Sequence, residues 1–142
     1  MEVRDIMTAP AIAVGQDESV AAAVRLLRRY DLGALPVCDG AGRLRGMVTD
    51  RDIALRCFAG EENGSTVRVG EIMSRAIVTA GPADSVESAA RTMVKERVRR
   101  LPVTEGGRLV GMVSVCDMTR SRDCRTLWPG VVQSISGNVS RM

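Results

Sequence analysis

The sequence predicts an α+β protein built from two pseudo-symmetric β-α-β-β-α units packed sheet to sheet. Three observations carry that expectation. Gly46-Met-Val-Thr-Asp-Arg-Asp52 returns as Gly111-Met-Val-Ser-Val-Cys-Asp117, with Gly, Met, Val, a hydroxyl residue and Asp in matching places. Val3-Arg-Asp-Ile-Met-Thr8 returns as Val69-Gly-Glu-Ile-Met-Ser74, and Leu35-Pro-Val37 as Leu101-Pro-Val103. Landmarks that recur in one order mark an internal duplication.

Each unit reads the same way in order. Ile12-Ala-Val14 and Ile77-Val-Thr79 are short strand candidates. Ser19 and Ser85 are suited to N-cap the helices that follow, because a serine hydroxyl accepts an otherwise unpaired helix N–H. Val20, Ala23, Val24 and Leu27 then recur at helical spacing, as do Val86, Ala89, Ala90, Met93 and Val94. Gly33 is placed to end the first helix. Ala34–Cys38 and Leu44–Val48 flank the turn Asp39–Gly42, and Leu101–Thr104 and Leu109–Val113 flank Glu105–Gly107. Glycine-rich turns between apolar runs mark hairpins. A second helix starts at each hydroxyl residue, Thr49 and Ser114, the latter running to about Arg120.

The expected domains are residues 1–60 and 61–122, with Ala59–Ser65 as a polar connector. A unit of about 55 residues buries too little surface to be comfortably stable alone, so the two should associate. Residues 123–142 are expected to form a tail, with a short helix opened by Leu127-Trp-Pro129. Val131, Ile135 and Val139 would share one face of it.

Composition narrows the chemistry. The 142-residue chain has one Trp, one Tyr and one Phe, so base stacking has few platforms and nucleic-acid binding is not expected. Its charge is +3 and spread along the chain, and Lys95 is the only lysine. With no histidine, Ser-His-Asp and Cys-His catalysis and most zinc sites are excluded, so an enzyme is not expected. Cys38, Cys57, Cys116 and Cys124 lack C-x-x-C spacing and read as reduced thiols. No apolar stretch reaches membrane-spanning length, and a cytoplasmic location is expected.

The chemistry-bearing stretches are the two helix starts. Thr49 with Asp52, and Ser114 with Asp117, have the hydroxyl-x-x-acid spacing of a capping box. In that role they satisfy orphan helix N–H groups and nothing more. The same geometry also suits a ligand, since a carboxylate accepts both hydroxyls of a ribose diol. A helix start, with its unpaired N–H groups, also favours phosphate. Both readings stand at this point.

Ile-Met-Thr/Ser, the Ser-Val helix start, Leu-Pro-Val and Gly-x-x-Thr/Ser-x-x-Asp, each present twice, resemble a tandem pair of CBS domains, the Bateman module. The resemblance covers roughly residues 3–120. It implies paired units dimerised into a flat disc, and a cleft between the repeats for AMP, ADP, ATP or S-adenosylmethionine. It assigns the sugar and phosphate roles to Thr49, Asp52, Ser114 and Asp117. Arg99 and Arg100, just before the second strand, fall where a basic residue reaches the phosphates in family members. Arg51 lies inside the first motif, with Cys116 as its counterpart, so unequal clefts are expected. Ile12, Leu35, Pro36, Val78, Leu101 and Pro102 are candidates for adenine walls, although such residues also serve as core. The implied function is a regulatory module that signals to a separate protein partner. The alternative is a ligand-free CBS dimer acting as a protein-interaction module.

Overall fold

The computed structural model describes residues 1–119. The expected tail at 123–142, Cys124 and the end of the last helix at Arg120 lie outside the described residues. Within them, the chain forms two compact units of mixed α and β structure. One, the Thr49 unit, comprises Ala11–Ile77 and Gly107–Leu109. The other, the Ser114 unit, comprises Met1–Pro10, Val78–Gly106 and the described residues from Val110 to Thr119.

In the Thr49 unit, β1 (Val14–Gly15), β2 (Ala34–Cys38) and β3 (Leu44–Thr49) form a sheet in that order. β1 runs parallel to β2, with Val14 opposite Val37, and β2 runs antiparallel to β3, with Leu35 opposite Val48. Helix α1 (Val20–Tyr30) is capped by the Ser19 hydroxyl, which accepts the Ala22 N–H at 3.1 Å. It buries Val20, Ala23 and Leu27 against Val14, Leu35, Val37 and Val48. Each of the valine and leucine side chains withdrawn from water contributes roughly 1.5–3 kcal/mol. The expected stop at Gly33 falls two residues too late. Asp31 is the left-handed residue, at φ 52°, and the Leu32 N–H bonds back to the Leu27 carbonyl at 2.9 Å. A short polar side chain tolerates that conformation, and the back-bond closes the helix without glycine.

Helix α2 (Asp50–Asp52) passes directly into a π-helical stretch, Ile53–Phe58. The Ala59 N–H reaches the Ala54 carbonyl at 2.9 Å, the five-residue step of the wider helix. The short α3 (Val69–Ile72) completes the core with Val69, Ile72 and Met73.

The Ser114 unit repeats the plan. Ser85 caps α4 (Val86–Glu96), accepting from the Ser88 N–H at 3.0 Å, and Arg97 ends it at φ 57°. Strands β4 (Arg100–Glu105) and β5 (Arg108–Ser114) pair, and α5 (Val115–Met118) follows. The strand expected at Ile77–Thr79 is reduced to one bridge, between Ala80 and Val103. Its hydrogen bonds go to the Pro102 carbonyl and from the Thr104 N–H, so the pairing sits one residue beyond the expected run.

The compact units do not coincide with the sequence repeats. Met7 and Thr8, which open the first repeat, lie on β5 of the second: the Thr8 N–H bonds the Met112 carbonyl at 2.8 Å and the reverse bond is 3.0 Å. Ser74 and Met47 make the corresponding exchange, at 2.8 and 3.0 Å. Glycine makes both approaches possible. A Cβ on Gly46 would sit 2.5 Å from the Ser74 carbonyl oxygen, and one on Gly111 would sit 2.9 Å from that of Thr8.

Candidate ligand site

At Thr49 the sheet delivers a strand end directly into a helix start. The Thr49 hydroxyl accepts the Asp52 N–H at 3.0 Å, and Asp52 Oδ2 accepts the Thr49 N–H at 3.0 Å. This is the reciprocal capping box. The Asp50 N–H is bonded to the Gly33 carbonyl at 3.1 Å, and the Arg51 N–H to Asp50 Oδ1 at 2.8 Å. The first three helical N–H groups are therefore occupied. Any anion here must be held by side chains.

Ser114 builds the same box with one difference. The Ser114 hydroxyl accepts the Asp117 N–H at 3.2 Å, and Asp117 Oδ2 accepts the Ser114 N–H at 2.8 Å. The same hydroxyl also lies 3.0 Å from Asp117 Oδ2, to which it donates. The Val115 N–H bonds the Arg99 carbonyl at 2.9 Å, as Asp50 bonds Gly33. That bond anchors the Arg99–Arg100 backbone to the helix start. Arg99 is exposed, Arg100 half-buried, and both Ser114 and Asp117 half-buried. Thus the second copy places two guanidinium-bearing residues where the first places Gly33 and Ala34.

The two carboxylates also differ in their second oxygens. Asp52 Oδ1 faces Arg56 Nε at 3.8 Å. Among the described residues, Asp117 Oδ1 has no hydrogen-bond or ion-pair partner. Arg56 escaped the sequence reading, and its i,i+4 spacing from Asp52 is the signal that could have found it. Its Nη1 also donates to the Ile72 carbonyl at 3.0 Å and approaches that of Met73 at 3.4 Å. In the second copy the equivalent sequence position is Ser121.

The proposed apolar walls divide by depth. Leu35 and Leu101 are core residues, 0% and 1% exposed, committed to packing within their own units. Pro36 and Pro102 are buried as well, whereas Ile12 and Val78 are half-buried at the core margins. Ile12, Leu35, Pro36, Thr49, Arg51 and Asp52 fall in one unit; Val78, Arg99, Arg100, Leu101, Pro102, Ser114 and Asp117 fall in the other. Arg51, exposed, is thus in the Thr49 unit and Arg99–Arg100 in the Ser114 unit.

The family profile of the CBS domain matches residues 3–57 and again residues 69–123. The chain belongs to the CBS-domain family, as a tandem pair. Hypoxic response protein 1 of Mycobacterium tuberculosis is 38% identical over 117 residues, spanning 82% of each chain. The crystal structure of Hypoxic Response Protein I, with two coordinated zinc ions, superposes with a TM-score of 0.79 at 37% identity, covering 85% of this chain and 98% of that one. In the present CBS pair no histidine occurs, and among the described residues no three His, Cys, Asp or Glu side chains converge as a metal site. The CBS pair of MJ0100, in complex with 5′-methylthioadenosine and S-adenosylmethionine, gives a TM-score of 0.73 at 30% identity over 84% of this chain and 94% of that one. CBSX2 in complex with AMP gives 0.72 at 29%, with the same coverages. Among the described residues no helix is long and apolar enough to cross a membrane.

Proposed function

We propose that this CBS pair is a non-enzymatic regulatory module that binds an adenosine-type ligand: AMP, ADP, ATP or S-adenosylmethionine. The ligand engages the Ser114–Asp117 helix start, and the module signals to a separate protein partner as a cytoplasmic homodimer. The observation that carries this reading is Asp117 Oδ1, without a partner among the described residues, at a helix start whose Val115 N–H holds the Arg99 carbonyl. A ribose hydroxyl donates to that oxygen, and Arg99 and Arg100 take the phosphates or, with S-adenosylmethionine, its carboxylate. Thr49–Asp52 is the weaker site, because Arg56 faces its carboxylate and Gly33–Ala34 replace the arginines. The two relatives solved with AMP and with S-adenosylmethionine support the ligand class.

Calorimetric titration with the four ligands tests the proposal. Binding is expected for at least one, lost in Asp117→Ala and largely kept in Asp52→Ala. Absence of heat and of any thermal shift with all four ligands ends it.

A second reading, a ligand-free CBS dimer that serves as a protein-interaction module, draws on one surface feature. On the π-helical turn, Leu55 and Phe58 are 56% and 81% exposed. Under that reading, Leu55→Ser with Phe58→Ser changes the sedimentation behaviour of the apo protein, and an unchanged profile counts against it.

A further inference from the structure

The Thr49 unit includes a three-residue piece of the second hairpin, Gly107–Leu109, and its pairing brings two arginines face to face. The tripeptide Gly42-Arg43-Leu44 recurs as Gly107-Arg108-Leu109. The two copies pair with each other antiparallel, with Arg43 directly opposite Arg108. The Leu44 N–H bonds the Gly107 carbonyl at 3.0 Å, and the Leu109 N–H bonds the Gly42 carbonyl at 3.1 Å.

Hydrogen bonds on both flanks of a facing pair define the closer type of antiparallel pair, in which the Cα atoms are about 4.5 Å apart. Directly opposed residues project to the same face of the ladder. Two like charges are therefore held side by side, an arrangement that by itself is destabilising. Among the described residues no ion pair relieves it. Both arginines are exposed, and among the described residues neither guanidinium has a hydrogen-bond or ion-pair partner. The closest acid along the first hairpin, Asp39, is already committed: it takes Arg45 at 3.0 and 2.8 Å and the Ala41 and Arg43 N–H groups at 2.9 and 3.0 Å. Glu105, on the second hairpin, makes no ion pair with Arg108 among the described residues.

We infer that Arg43 and Arg108 form a clamp for the phosphate group of a small molecule, distinct from the Ser114–Asp117 site and independent of the function proposed for it. One guanidinium suffices for the two oxygens of a carboxylate. Two guanidinium forks together match the three free oxygens of a phosphate, which selects phosphate as the ligand chemistry. The strand pairing fixes the two backbones, so the side chains alone need to be ordered when the anion binds.

The test is calorimetry on the full chain with inorganic pyrophosphate, at constant ionic strength set with chloride. Asp52→Ala with Asp117→Ala serves as the background, which removes the carboxylates of the other site. In this background pyrophosphate and AMP are compared. Binding of pyrophosphate alone assigns a free phosphate, and binding of AMP, with or without pyrophosphate, assigns an esterified one. Arg43→Gln and Arg108→Gln should each weaken the binding at least tenfold, and the double substitution should abolish it. Thermal melts verify that these surface variants remain folded. Absence of binding by both probes overturns the clamp, as does binding undiminished in the folded double variant. Adenosine, which has no phosphate, reports separately on Ser114–Asp117 in the unsubstituted protein, so the two readings fail independently.

Discussion

Arg56 joins three elements through one guanidinium: it faces Asp52 at 3.8 Å while donating to the carbonyls of Ile72 and Met73 at 3.0 and 3.4 Å. The carboxylate of the first motif is thereby linked to the segment that closes the same unit's core. The ion pair is long and Arg56 is half-exposed, so it contributes at most about 1 kcal/mol. The bond to the Ile72 carbonyl is shorter and carries more of the effect. We expect Arg56→Ala to cost about 1–2 kcal/mol in urea denaturation. Arg56→Lys should recover part of that loss, since an ammonium reaches one carbonyl but not both.

Gly46 and Gly111 each lie under a backbone carbonyl and a methionine side chain: Ser74 and Met73 over Gly46, Thr8 and Met7 over Gly111. An added methyl at Gly46 meets the Ser74 carbonyl at 2.5 Å and forces the Met47–Ser74 exchange apart. Gly46→Ala should destabilise by about 3 kcal/mol, the upper end of the usual range for overpacking. Gly111→Ala should behave alike. Gly40→Ala, where a Cβ meets nothing within 4 Å, is the control and should be close to neutral in the same denaturation series.

The two capping boxes make a stability prediction that does not depend on any ligand. Thr49→Ala and Ser114→Ala each remove an N-cap acceptor and should cost about 1 kcal/mol. Ser114→Ala also removes the hydroxyl bonded to Asp117 Oδ2 at 3.0 Å, so it should be the more costly of the two by chemical denaturation.

Acid should loosen the first hairpin through Asp39. The Arg43 N–H holds its carboxyl below the ordinary value of 3.8, with help from Arg45 and the Ala41 N–H and against partial desolvation. A depressed folded pKa means that the unfolded chain takes up the proton first. The stabilisation is therefore complete at neutral pH, begins to fall near the ordinary value, and is lost as pH drops through the lower folded value. The stability difference between the natural protein and Asp39→Asn should shrink along that descent, as measured by denaturation at pH 7 and at steps below pH 4. A difference independent of pH would refute the assignment.

Cysteine reactivity should follow exposure. Cys116 is exposed and Cys57 buried, while burial and then the Asp39 charge push the Cys38 thiol above its ordinary value. In a Cys124→Ser background, a thiol-specific reagent should label Cys116 first and Cys57 only on unfolding, as read by mass spectrometry.

What the sequence determined by itself was local. The serine caps, the hairpins and both hydroxyl-x-x-acid boxes depend on contacts within three or four residues or on strand periodicity, and each is written in neighbouring side chains. The helix ends at Asp31 and Arg97 were less legible, because a back-bond from Leu32 or Val98 can close a helix without glycine. Tertiary structure alone decided which opening segment lies on which hairpin: Thr8 on Met112 and Ser74 on Met47. It also decided that Arg43 faces Arg108 and that Leu35 and Leu101 are spent on the core. The physical reason is that duplicated segments carry nearly the same strand and side-chain pattern, so either copy satisfies the local rules of either hairpin. Chain path and long-range packing break that degeneracy, and they leave no periodic trace in the sequence.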